Sequence, residues 1–277
     1  MTLERSDTVS AFRQAVLVPD SQIDLGHAAL IIATHKYPDL DIQRELSLFD
    51  SLASVAETRM SPDSDPLQKI NAISTYLFEE IGFRGNDQDY YNPKNSYLNE
   101  VLSTRLGIPI TLSLLCMEVA KRLSVELVSI GMPGHLVIRH SDITDLFIDP
   151  FHGGILLSQS ECIERVTSIT QGRLPWNDSY LTPLSNTEFL ARMLRNLKSI
   201  YLKESSYREA QIIMNLLLEV NPEALSERRD RGIVNFQLGN YRDSLDDLEI
   251  YLDSGISGSE ASSITKLIWK LRDLLSA

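Results

Sequence analysis

The sequence predicts an α+β core, in which helices pack on a small antiparallel sheet, followed by an all-α array of paired helices. Three observations predict it. Apolar residues recur at helical spacing from Ser10 to Ile81, the period drops to two between Val125 and Leu157, and a helical pattern with an internal repeat returns from Asn186. The expected divisions are 1–84 as an N-terminal helical region of the core, 85–183 as the rest of the core, and 186–277 as the repeats.

The first helices carry Leu25, Ala28, Ala29 and Ile32, then Leu46, Phe49, Leu52 and Val55, with a break at Tyr37, Pro38 and Asp39. Asp65 and Pro66 announce the next helix as an N-cap followed by the residue best tolerated at the first helical position. Its apolar stripe runs through Leu67, Ile70, Ile73, Leu77 and Ile81 and stops near Gly82. Gly85 to Asn95 is dense in turn formers and reads as a loop, expected to lie over the start of the next long helix with Asn95 pointing into a groove. A short helix from Ser96 to Arg105 leads to the most apolar helix, Ile110 to Leu123. Its polar positions Thr111, Glu118 and Arg122 fall within about 40° of one another at 100° per residue. Strands are expected at Val125 to Ile130, His135 to Arg139, Leu146 to Asp149 and Ile155 to Leu157.

In the C-terminal part, Tyr207, Arg208, Glu209 and Ala210 recur as Tyr241, Arg242, Asp243 and Ser244 at a spacing of 34 residues. Leu202 then aligns with Phe236, Met214 with Leu248, and Leu218 with Leu252. Paired helices at this period are the tetratricopeptide signature. Each unit leaves an apolar face for its neighbour to cover, so Ile264, Leu267, Ile268 and Leu271 are expected to form a capping helix. The charges at Lys203, Glu204 and Arg228 to Arg231 read as a solvated face.

Composition narrows the function. The chain has 277 residues, 43% of them apolar and 23% charged, with 13 Gly and 11 Pro, which is the make-up of a folded globular protein. A net charge of -12 without a basic patch argues against nucleic-acid and anionic-membrane partners. Two cysteines, Cys116 and Cys162, both in apolar helical settings, imply reduced thiols. No basic-then-apolar leader opens the chain at Met1 to Ser10, so a cytoplasmic location is expected. No cofactor motif is present and none is expected; the oligomeric state is left open.

Antiparallel pairing of the strands flanking Ser141 to Thr144 keeps partner numbers summing to about 284, which sets His135 opposite Asp149. An imidazole oriented by a carboxylate keeps its second nitrogen free for proton transfer, the supporting half of a catalytic triad. A nucleophile would belong at the N-terminus of the central helix, where the helix dipole lowers a thiol pKa, and no cysteine stands there. Thr111 and Ser113 are the available hydroxyls, with capping as the competing role. His135 itself is read either as a catalytic base or as a strand histidine fixed by Asp149. Asp149, His135 and His152 are metal-ligand types, but their spacing matches no zinc pattern, so no metal is expected and His152 reads as a turn residue.

The runs Tyr90-Tyr91-Asn92-Pro93-Lys94-Asn95-Ser96-Tyr97-Leu98-Asn99, Arg105 to Ser113, Pro133-Gly134-His135 and Phe147-Ile148-Asp149-Pro150-Phe151 resemble the bacterial SirB-type proteins. Those join a transglutaminase-like core to tetratricopeptide helices. The resemblance implies a papain-like core in which a helix carries the nucleophile and following strands carry His and Asp. It matches His135 and Asp149 but puts Pro109 at the cysteine position, which offers neither nucleophile nor backbone donor. The expectation is a catalytically degenerate regulator or adaptor binding a protein or peptide through its helices and a cleft lined by Asn95, Ser113, Tyr91 and Asn92. The alternatives are an amide hydrolase or acyl transferase using His135, Asp149 and Thr111, and a structural protein with a filled cleft.

Overall fold

The structure, a computed structural model, describes residues 5–276. The Met1 to Glu4 part of the N-terminal reading lies outside the described residues. Three helices open the chain, α1 (Arg5–Val16), α2 (Leu25–Thr34) and α3 (Ile42–Glu57). Next, α4 (Pro66–Ser74) runs into a wider π-helical segment, Thr75–Glu80. The Asp65 signal acts as expected: its carboxylate accepts from Gln68 N and its own N–H donates to Gln68 Oε1, a capping box with Pro66 at the first position.

The centre of the fold is the strand β1 (Arg84–Gly85), helix α5 (Leu98–Thr104), strand β2 (Leu106–Gly107) and helix α6 (Pro109–Arg122). β1 and β2 pair in parallel, Gly85 opposite Gly107. Helix α6 packs against α2, α3, α4 and α5, and its apolar residues are almost all buried because neighbours cover nearly its whole circumference. Its polar line is also enclosed. Glu118 accepts from Gly26 N at 3.1 Å and from Arg122 at 2.7 Å, and a Cβ at Gly26 would lie 2.7 Å from the Glu118 carboxyl carbon. Glycine lets α2 approach α6 there.

A four-stranded antiparallel sheet follows, β3 (Leu127–Ile130), β4 (Val137–His140), β5 (Leu146–Asp149) and β6 (Ile155–Ser158), in sequential order. Alternation splits its side chains between two clusters. Ile138 and Ile148 join the main core, whereas Val137, Phe147 and Leu157 pack with Cys162 and Val166 of α7 (Gln159–Thr170). Two expectations need correction. Ile138 pairs with Ile148, not with Leu146. In addition, β4 starts at Val137, so His135 precedes the strand: His135 N closes a turn onto Met132 O at 3.2 Å, through Pro133 and a Gly134 held at φ +72°. The register differs by two residues, which leaves each side chain on its original face.

Five helices complete the chain: α8 (Asn186–Lys203), α9 (Tyr207–Val220), α10 (Leu225–Leu238), α11 (Tyr241–Asp253) and α12 (Ser259–Ser276). The repeat phase holds, since α9 begins at Tyr207 and α11 at Tyr241 and the equivalent Ala210 and Ser244 are both fully buried. Gly232 allows α10 to lie close on α11, where a Cβ would meet Leu248 Cγ at 2.7 Å. Ile264, Ile268 and Leu271 of α12 cap the last cluster. The Arg228 to Arg231 segment is more than a solvated face. Arg231 grips the buried Asp247 with two bonds of 2.7 and 2.6 Å, and the buried Glu227 holds Arg195 and Lys198 of α8.

The repeats are not a separate lobe. One apolar cluster runs from Phe12 through α6 to Val234, and α1 packs on α9 with Arg13 paired to Glu219. Asp20 caps α8, accepting from Asn186 N at 3.0 Å and Thr187 N at 2.8 Å. Burial works against charging this carboxyl, but these N–H bonds outweigh it and hold its pKa below the ordinary range.

Candidate functional site

His135 and Asp149 meet: Nε2 lies 2.7 Å from Asp149 Oδ2, with both side chains buried. They come together diagonally across the hairpin, because the two-residue offset keeps them on one face. Asp149 is also bound by three further groups. His152 N and Nδ1 approach its two oxygens at 3.3 and 2.9 Å, and Arg165 Nη1 of α7 lies 2.9 Å from Oδ2. Burial opposes the charge on Asp149, yet His135 first, then His152 and Arg165, outweigh it and hold the carboxyl below its ordinary pKa. His135 Nδ1 has no hydrogen-bond partner among the described residues.

His152 is therefore more than a turn residue, since its ring joins this cluster. His135, Asp149 and His152 bring possible ligand atoms within 4.8 Å of one another. Arg165 Nη1, however, lies 2.6 Å from His152 Nδ1 and 2.9 Å from Asp149 Oδ2. A guanidinium thus supplies the positive charge between two of the three donors, and a metal would have to displace it.

Among the described residues the opening of α6 carries no cysteine. Pro109 is its first residue. Thr111 is fully buried, and its hydroxyl donates to Asn95 O at 2.7 Å while accepting from Ile108 N at 3.1 Å. That is a capping and latching role, so the expectation of Thr111 as a reactive hydroxyl is corrected. Cys116 sits deep in α6, where burial pushes its thiol up to about 12, and burial drives Cys162 to about 11. Among the described residues no hydrogen bond joins His135 to the first turn of α6. The ring of Phe151 stands instead against His135, 6.3 Å between centroids, and so close to Gly85 that a Cβ there would be 2.6 Å from it.

The expected cleft residues separate. Asn95 does not point into a groove: it is buried, takes a bond from Asn86 Nδ2 and donates to Asp89 O and Tyr90 O, so it fastens the 86–95 loop to itself. Ser113 is fully buried and lines no open cleft; its hydroxyl has no partner among the described residues. Tyr91 and Asn92 do face solvent space. With Pro93, Ile200 and Lys203 they line a cavity of about 380 Å³ between the loop and α8, where Lys203 Nζ lies 4.6 Å from the Tyr91 ring. Arg165, Phe151 and Arg192 were missed, because nothing in their spacing separates them from ordinary helix and turn residues.

A helix followed by strands that carry an imidazole–carboxylate pair, with paired helices appended, defines the class: an α+β core joined to a helical repeat. The comparisons agree. The transglutaminase-like superfamily model matches residues 43–195 and a tetratricopeptide repeat model matches residues 197–268. A UPF0162 protein of Xylella fastidiosa is 36% identical over 239 residues, covering 85% of each chain. The UPF0162 protein YchA of Escherichia coli is 27% identical over 220 residues, covering 78% of this chain and 80% of that one. F-box only protein 21 of Mus musculus is 31% identical over 188 residues, 62% of this chain but 28% of that protein. No solved structure matches. The chain belongs to the transglutaminase-like superfamily, as a UPF0162 protein with a tetratricopeptide extension, and the SirB-type resemblance stands. Among the described residues no helix is long and apolar enough to cross a membrane.

Proposed function

We propose that this is a catalytically degenerate transglutaminase-like protein that binds a protein or peptide partner, acting as a regulator or adaptor in the cytoplasm. The observation that carries the reading is the start of α6, where Pro109 occupies the first position and, of the two hydroxyls there, Thr111 is buried and engaged while Ser113 is fully buried. A base without a nucleophile performs no acyl transfer. The repeat helices support partner binding, as does the exposed ring of Tyr91, 60% accessible beside the cavity under Lys203.

The test is photo-crosslinking from position 91 in cells, with mass-spectrometric identification of adducts. One recurrent partner, lost when Lys203 is changed to Glu, is the expected result. Incubation with acyl-reactive probes supplies the opposing arm. Labelling that disappears in His135→Ala would replace this reading with the hydrolase or acyl transferase, which the retained His135–Asp149 pair favours.

A further inference from the structure

Four cations lie on α8, and they differ in what neutralises them. Arg195 and Lys198 meet the carboxylate of Glu227, and Lys203 rests on Tyr91. Arg192 meets no carboxylate among the described residues. Its Nη2 donates to two main-chain oxygens, Met132 O and His135 O, both at 2.6 Å, while Nε and Nη1 have no acceptor among the described residues. Glu188, one turn earlier, is turned away to cap the helix at Ser185 N. Asp149, the carboxylate fixed on the His135 imidazole, is already matched by Arg165. The half-buried guanidinium of Arg192 therefore leaves this corner with one uncompensated positive charge, in a chain whose net charge is -12.

The placement is built in. Gly131 has no side chain to obstruct the guanidinium, since a Cβ there would lie 2.8 Å from Arg192 Nη1. Tyr90, also half-buried, stands within electrostatic reach of Arg192 and presents a hydroxyl with no partner among the described residues. The His135 ring, buried and anchored through Nε2, leaves Nδ1 without a hydrogen-bond partner among the described residues beside the same turn. Burial without a counter-ion weakens the hold of Arg192 on its proton, with Tyr90 partly opposing this. An unpaired guanidinium is costly to bury, and an anion at this point would recover that cost.

We propose that Arg192, Tyr90 and His135 form a binding site for a single carboxylate of a protein partner, either its chain terminus or an acidic side chain. The site rests on the reading of the molecule as a protein-binding module. Arg192 supplies the charge and N–H donors, Tyr90 a neutral O–H donor, and His135 a ring edge that selects how deep the group enters. One positive charge suits a monoanion.

The test is a titration of the full chain, read by NMR of histidine ring and tyrosine signals, with three peptides up to about 10 mM. They are N-acetyl tetra-alanine as the free acid, the same peptide as its amide, and the amide with glutamate at the third position. Saturable shifts at Tyr90 and His135 are expected with at least one acid and not with the plain amide, and the responding acid identifies the source of the carboxylate. Arg192→Met should weaken that binding by about tenfold or more, with Arg192→Lys between the two. Because the acid-against-amide comparison uses the unaltered chain, misfolding of a variant leaves it intact. Equal responses to all three peptides, or none to any, overturn the carboxylate site. If partner crosslinking from position 91 persists in that case, the docking reading stands without it.

Discussion

The hydroxyl of Thr111 donates to the main-chain oxygen of Asn95 at 2.7 Å, so the first turn of α6 holds the 86–95 loop in place. The Thr111 hydroxyl oxygen in turn accepts from Ile108 N at 3.1 Å, and Ile108 is also buried. Thr111→Val keeps the shape but strands both backbone groups. It should cost about 1–3 kcal/mol, read as a lower denaturation midpoint with an unchanged slope. A neutral substitution would return Thr111 to candidacy as a reactive group.

Asp149 makes stability depend on acidity. Its folded pKa lies below the ordinary 3.8, so the unfolded chain binds the proton more readily. The contribution is complete above that ordinary value and disappears as pH falls through the lower folded one. Urea unfolding between neutral pH and strong acid should show this loss in the native chain and a flatter profile in Asp149→Asn. The variant should also be weaker at pH 7 by about 3 kcal/mol, since it leaves Arg165 without its carboxylate.

Gly85 tests the link between the parallel strand pair and the histidine. A Cβ there would approach the Phe151 ring at 2.6 Å and the Phe151 oxygen at 2.7 Å. Gly85→Ala should destabilise by about 1–3 kcal/mol and shift the His135 ring resonances, although residue 85 does not touch the imidazole. Unmoved resonances would mean Phe151 does not transmit the change.

Both thiols should resist alkylation at pH 8 in the folded chain and react fully in denaturant, since burial raises Cys116 to about 12 and Cys162 to about 11. Rapid native labelling of either cysteine would revive thiol chemistry.

Signals confined to one stretch of chain were readable in advance. The Asp65 N-cap followed by Pro66, the apolar character of α6 and the 34-residue spacing of Tyr207 and Tyr241 are local or periodic, and each appears where expected. The His135–Asp149 pairing survived a misjudged register because strand side chains alternate with a period of two, so an offset of two costs position but not side. Asn95 was misread since a polar residue in a loop gives no sign whether it faces a groove or its own backbone. Arg165 and Arg192 give no sign in the sequence for a related reason: each lies on a helix outside the hairpin it meets, and an arginine that meets a carboxylate looks no different from one that meets main-chain oxygens.

Asp20 on α8 and Arg13 on Glu219 bind the N-terminal segment and the first repeat helices into one body. A nick in the exposed connector around Gly172 to Trp176 would thus yield two pieces that remain associated, each presenting bare apolar surface if parted. Reassembly of co-expressed halves, cut at that connector, is the natural way to label one half isotopically, whereas the helices beyond residue 186 made alone would precipitate.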